Sequence, residues 1–307
     1  MYNLVYPPEN PCGCGSGREF GKCCLKDGQI ILNPKLLNPP KPKAWHRNKK
    51  CILNWTSDCC SKISGDHIVS KSVLKVISKE KITISTSSFS REHSINSDSL
   101  KTKQLCRRHN SALSPIDSQT ARFFKAFVAI NNSLTWNFTS QKLYFFHGID
   151  IERWMLKTML MAYYAKLSNV TPENYKLPEN SVKLFQFDLG QPYGLYVPTS
   201  INPNGADFFI TENSTSVCIL TEGEFVSGVR ISLGGFSLTL VIYGNEDNFY
   251  RLSKSYTYRP KNLLFFRGQE VYAIQTAFPN CQGKDIWISY GNPHAEMPSS
   301  CKLGRLS

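Results

Sequence analysis

Eight of the eleven cysteines fall before residue 107, in pairs and at short spacings, and this clustering constrains the fold more than any other feature of the chain. In a reducing compartment, thiols gathered near histidines read as metal ligands and not as a disulfide framework. Residues 11–24, PCGCGSGREFGKCC, place Cys12 and Cys14 one residue apart, then a Gly-Ser-Gly turn, then adjacent Cys23 and Cys24. So short a segment cannot bury enough apolar surface to fold unaided. Four thiolates around tetrahedral zinc, with metal–sulfur bonds of about 2.3 Å, would supply its folding free energy. The scattered Cys218, Cys281 and Cys301 read as ordinary thiols.

A second constellation is CILNWTSDCCSKISGDHIVSKSVL followed, after an insert, by LCRRHNSALSPID. Cys106 and His109 have the Cys-x-x-His spacing of a zinc knuckle that runs into a helix, and Cys51 with either Cys59 or Cys60 completes four ligands. Cys60 is the working assignment, with Cys59 as the alternative and His46 as a further candidate. Two structural zinc sites are therefore expected.

The first motif resembles SEC-C, the short zinc-binding segment appended to many bacterial proteins. That resemblance implies a docking device for a protein partner or the ribosome. The second resembles the HNH nucleases, a treble-clef family with a zinc-stabilised ββα fold, and within them the phage resolving endonucleases of the endonuclease VII type. Carried over by position, the resemblance makes Asp66 a metal-binding carboxylate, His67 the general base and Asn110 the second metal ligand. The chemistry is consistent: His titrates near neutrality and can activate water. A hard Mg²⁺ or Mn²⁺ held by a carboxylate and an amide oxygen would neutralise a phosphodiester transition state. Lys62, Lys71, Lys75, Arg107 and Arg108 would position the strand through its phosphates. The sequence departs from the pattern in the long gap between Cys51 and its partner, in a His as last zinc ligand, and in an insert carrying His93.

Charge points the same way. Residues 1–125 hold 21 Lys and Arg against 9 Asp and Glu, whereas residues 126–307 hold 15 against 14. A basic first third concentrates polyanions by a salt-sensitive attraction, so DNA or another nucleic acid is the expected partner. With the HNH resemblance this makes the expected function a metal-dependent endonuclease that hydrolyses phosphodiester bonds in DNA or structured nucleic acid; the rival expectation is a non-catalytic zinc-dependent adaptor that binds nucleic acid and docks proteins. No stretch approaches the roughly 18 apolar residues of a membrane span, and MYNLVYPPEN lacks the pattern of a signal peptide. A cytoplasmic protein without membrane contact is expected, of undetermined oligomeric state.

The organisation expected is a SEC-C segment over residues 1–27, a Pro-rich linker over 28–44, an HNH-like ββα module over 45–135, and a C-terminal α+β domain over 136–307 with a mainly antiparallel sheet. Residues 86–99 are Ser-rich and read as a loop. In SPIDSQTARFFKAFVAI, Ser114 is placed to cap a helix that begins at Pro115, with Ile116, Thr120, Phe123, Phe127 and Ile130 on one stripe. GIDIERWMLKTMLMAYYAKL predicts a second, core-facing helix on which Glu152, Arg153 and Lys157 form a charged set. Gly234-Gly235 between two alternating runs predicts a hairpin, and LLFF, EVYAIQTAF and KDIWISY predict strands.

Overall fold

A computed structural model of the chain describes residues 5–32, 47–77, 81–85, 93–136, 142–179, 181, 189–199, 214–233, 236–279 and 283–289. Expectations for residues 33–44, for His46 and for the Gly234-Gly235 turn fall outside that set. The architecture is mixed α+β, with mainly antiparallel sheets and four α-helices among the described residues. None of these helices is long and apolar enough to cross a membrane.

The elements follow in chain order. A small hairpin, β1 (Leu25–Lys26) and β2 (Gln29–Ile30), turns at Asp27-Gly28, both with positive φ, the geometry that an Asp-Gly turn supplies. Then come β3 (Ile63–His67), α1 (Lys71–Ile77), β4 (Lys81–Ser85), β5 (His93–Asn96), β6 (Lys101–Cys106), α2 (Arg107–Trp136), β7 (Leu143–His147) and α3 (Gly148–Tyr164). The C-terminal part contributes β8 (Gly194–Pro198), β9 (Ser214–Glu222), β10 (Phe225–Leu233), β11 (Phe236–Val241), α4 (Glu246–Ser255), β12 (Tyr256–Tyr258), β13 (Asn262–Arg267), β14 (Glu270–Ala277) and β15 (Ile286–Ser289).

Strand β3 pairs antiparallel with β6, with an irregularity between Ser64 and Asp66, and β6 runs straight into α2. A seven-stranded sheet in the order β12-β8-β11-β10-β9-β4-β5 is antiparallel except where β4 meets β9. The hairpin expected around residues 234–235 exists as the β10–β11 pair, with Leu233 opposite Phe236. Strand β5 lies inside the Ser-rich stretch expected to be a loop; residues 86–92 of that stretch are outside the described set. Through β4 and β5 the insert joins the C-terminal sheet, and one hydrophobic cluster runs from Cys51 to Ile288.

The four-stranded sheet, β15-β13-β14-β7, is buried on both faces, which is why its strands read as continuous apolar runs. With a side-chain period of two, Leu263 and Phe265 enter the main core, while Leu264 enters a second cluster with Phe145, Tyr6, Phe20 and the first cysteine group. The N-terminal unit therefore packs on the outer face of this sheet. Gly13 lies so close that a Cβ would stand 2.4 Å from the Phe145 carbonyl oxygen, and Gln119 of α2 donates to the Cys14 carbonyl at 3.0 Å.

Two helices differ from expectation. The stripe Ile116, Thr120, Phe123, Phe127 and Ile130 is buried, but α2 begins at Arg107, so Pro115 lies inside the helix and Ser114 is not its cap. The earlier start is set by the tertiary structure: Arg107 N–H donates to the Lys62 carbonyl at 2.9 Å, Arg108 N–H to Cys60 Sγ at 3.3 Å and His109 N–H to Cys106 Sγ at 3.5 Å. These acceptors satisfy the otherwise orphaned first-turn donors. Helix α3 forms as expected but is buried from Gly148 to Tyr163 on every side, charged residues included. Glu152 takes a two-pronged ion pair from Arg259 at 2.8 Å on each oxygen.

Candidate metal centre and its surroundings

Among the described residues, two side-chain groups could hold zinc: Cys12, Cys14, Cys23 and Cys24, and Cys51, Cys59, Cys106 and His109, each with its ligand atoms within 4.8 Å of one another. In the first, Cys14 and Cys23 Sγ are 3.5 Å apart and Cys23 and Cys24 Sγ 3.8 Å. The edge of a zinc–thiolate tetrahedron is about 3.8 Å for bonds of about 2.3 Å, so the donors match in type and spacing. The turn that gathers them is closed by Cys12 N–H to the Arg18 carbonyl at 2.7 Å, with Gly15 and Gly17 at positive φ. Burial pushes the Cys12 thiol up to about 11. At Cys14 burial acts the same way, but hydrogen bonds from Ser16 outweigh it and bring that thiol down to about 7. A divalent cation would draw all four into the thiolate form.

The second group is built by β3, β6 and α2. Ile63 on β3 is paired with Cys106 at the end of β6, and His109 follows in the first turn of α2. Cys51 is tied in through Ile52 N–H to the Gln104 carbonyl at 2.9 Å. His109 Nδ1 lies 3.3 Å from Cys51 Sγ, 3.7 Å from Cys59 Sγ and 3.3 Å from Cys106 Sγ. Those distances surround the roughly 3.5 Å expected between a sulfur and a nitrogen on one zinc ion. The long gap between Cys51 and its partner is taken up by a 3₁₀ turn over Asn54–Thr56 and a left-handed Ser57.

Cys59, fully buried, is the cysteine that lies with Cys51, Cys106 and His109, and Cys60, the expected ligand, is not in that group. Adjacent residues cannot both face one centre here: Cys60 Sγ turns to the backbone, accepting from Arg108 N–H and donating to the Lys62 carbonyl at 3.4 Å.

Sequence reasoning missed Asp58. Its Oδ1 accepts from His109 Nε2 at 2.8 Å, and its Oδ2 accepts from Arg108 Nη2 at 3.0 Å and Nε at 3.2 Å. Thr56 Oγ1 also bonds it. A carboxylate behind a histidine fixes the tautomer with the proton on Nε2, leaving the Nδ1 lone pair to face the three sulfurs. The available signal was a carboxylate directly before a cysteine ligand.

The expected catalytic residues have other surroundings. Asp66 Oδ2 lies 2.7 Å from Lys157 Nζ, and that ammonium, with no solvent exposure, is shared with Asp117 Oδ2 at 2.8 Å. Ser70 Oγ donates to Asp117 and accepts from Trp154 Nε1 at 2.8 Å. Burial raises the Asp117 pKa above the carboxylate range despite Lys157. Burial also works against the charged Lys157, but Asp117 and Asp66 outweigh it and hold its pKa above the usual value. Asp66 and His67 are neighbours on β3 and so project from opposite faces; His67 is 5% exposed. Asn110 is half-buried in the first turn of α2, and His93 lies on β5 opposite Ile84.

Lys75 of α1 and Arg122 and Lys125 of α2 line a groove of about 780 Å³ with Ser72, Ser118 and Asn132, and no acidic residue lines it among the described residues. Arg122 and Lys125 also border an adjoining cleft against Tyr6 and Pro11 of the N-terminal unit. Lys62, Lys71 and Arg107 are exposed elsewhere, and Arg108 is committed to Asp58. No family model matches the chain, and neither a curated protein nor a solved structure does.

Proposed function

We propose that the protein is a zinc-stapled nucleic-acid-binding protein in which the basic α1–α2 groove takes a phosphate backbone and Asp66 serves the fold. The observation that carries this reading is Lys157. A divalent ion on Asp66 would have to share the carboxylate with that buried ammonium, 2.7 Å from Oδ2, and two cations so close repel by several kcal/mol even at an effective dielectric of about 20. The buried cation thus fills the electrostatic role a catalytic metal would have there. The groove offers what a polyanion needs: three cations, three hydroxyl or amide side chains, and no opposing carboxylate among its described lining residues.

The second reading is the HNH-type endonuclease with Mg²⁺ or Mn²⁺, His67 as base and Asp66 and Asn110 as metal ligands. It is favoured by the pairing of β3 with β6, which runs into α2, so that Asp66 and His67 end β3 and Asn110 lies in the first turn of α2. One experiment separates the two. Purified protein is incubated with labelled duplex DNA and structured RNA, with Mg²⁺ or Mn²⁺, over a salt series. The binding reading expects a steep salt slope and intact substrate, and loss of affinity when Lys75, Arg122 and Lys125 become Gln. Cleavage that disappears in His67→Ala with zinc retained would establish the nuclease instead.

A further inference from the structure

A second pocket, of about 560 Å³, shares no residue with the groove; it opens beside the second cysteine group. Lys49, Lys50 and Lys103 line it together with Trp55, Gln104 and Tyr164, and no acidic residue contributes among the described residues. The three lysines are exposed. Trp55 is 36% exposed, whereas Trp154 is fully buried. An indole more than a third exposed forgoes part of the burial that Trp154 obtains, so its position calls for an explanation.

The backbone that carries the indole is also held in place. It sits on the 3₁₀ turn between Cys51 and Cys59, whose first residue is tied back by Asn54 N–H to the Cys51 carbonyl at 2.9 Å. Gln104 Nε2 donates to the Tyr164 carbonyl at 3.2 Å, joining β6 to the end of α3 across the pocket wall. Rigid aromatic faces ringed by ammonium groups suit a ligand that carries both a π face and phosphate. A duplex keeps its base faces stacked inside, whereas a single strand presents them.

Resting on the nucleic-acid reading above, we infer that this pocket is a single-strand subsite: an unpaired base stacks on Trp55 while Lys49, Lys50 and Lys103 hold the flanking phosphates. Zinc at the second cysteine group fixes the turn that carries the indole, so the subsite depends on that metal.

The test titrates the full, zinc-loaded protein with single-stranded oligo-dT and oligo-U of about 12 nucleotides and with a duplex of the same length, following tryptophan fluorescence and anisotropy. Wild type should bind the single strands with quenching. Trp55→Ala should lose roughly 5- to 150-fold in single-strand affinity, the range for one lost stacking contact, with duplex affinity unchanged. Trp55→Phe should retain most of the binding, and Lys49→Gln with Lys50→Gln should steepen the loss. Zinc content of each variant controls for folding. Unchanged single-strand affinity in zinc-replete Trp55→Ala, or an equal loss for duplex, overturns the subsite while leaving the groove intact. Absence of binding to every oligonucleotide by wild type overturns the nucleic-acid reading itself.

Discussion

Replacing Asp58 with Ala should weaken the second zinc site without touching the first. The substitution removes the acceptor of the 2.8 Å bond from His109 Nε2 and frees the Arg108 guanidinium, which is 10% exposed. The imidazole then loses its charged partner and keeps only the weaker contact with Thr56 Oγ1, 3.1 Å from Nε2, to fix its tautomer and angle toward the three sulfurs. Loss of such a partner weakens metal binding by about 10- to 100-fold, or roughly 1.4–2.7 kcal/mol. Asp58→Asn keeps an acceptor oxygen but not its charge, so its effect should be the smaller. The assay is zinc transfer to a colorimetric chelator, resolved into two phases. The Cys12, Cys14, Cys23 and Cys24 site serves as an internal reference within each molecule. A shift confined to one phase is expected. An unchanged second phase in Asp58→Ala, or a parallel shift of both, would refute the claim that the carboxylate orients His109.

Cys59→Ser should lower the zinc stoichiometry by one per chain in native mass spectrometry, whereas Cys60→Ser should leave it unchanged, because only Cys59 faces His109. Lys157→Met should cost about 3–5 kcal/mol in chemical denaturation, since it leaves Asp66 and Asp117 without their buried counter-charge. The pH dependence follows from the raised Lys157 pKa: its stabilisation is fully present below the unfolded value of about 10.4 and fades as pH rises through the folded one, so wild type and variant should converge in alkali. Gly13→Val should destabilise the chain by about 1–3 kcal/mol, because the new side chain meets the Phe145 backbone, and limited proteolysis should then release the N-terminal unit first.

The metal groups were legible because zinc ligation is written in spacing: six of the eight ligands of the two candidate sites are residues that their local pattern singles out, and Cys51, the seventh, is placed despite its long gap. The eighth, Cys59 against Cys60, depends on which of two neighbours a turn aims inward, and that is decided by the 3₁₀ segment and Ser57. The apolar stripe of α2 was likewise readable from its period. Its start was not, because Ser114-Pro115 imitates a helix beginning, while the actual first turn is held by sulfur and carbonyl acceptors from other segments. The Lys157 cluster was hidden for a related reason. Its members come from β3, α2 and α3, and no local pattern marks three charges that meet only in the folded chain. Glu152, read as part of a charged set on its own helix, finds its partner in Arg259.

Central to the account is that thiols and one imidazole of the N-terminal third gather two zinc ions, and metal content of the native full-length protein tests this most directly. Native mass spectrometry with elemental analysis should find two zinc ions per chain, both lost together with tertiary structure on chelation. A cleanly folded protein that carries no zinc, and whose stability is indifferent to chelator, would contradict it.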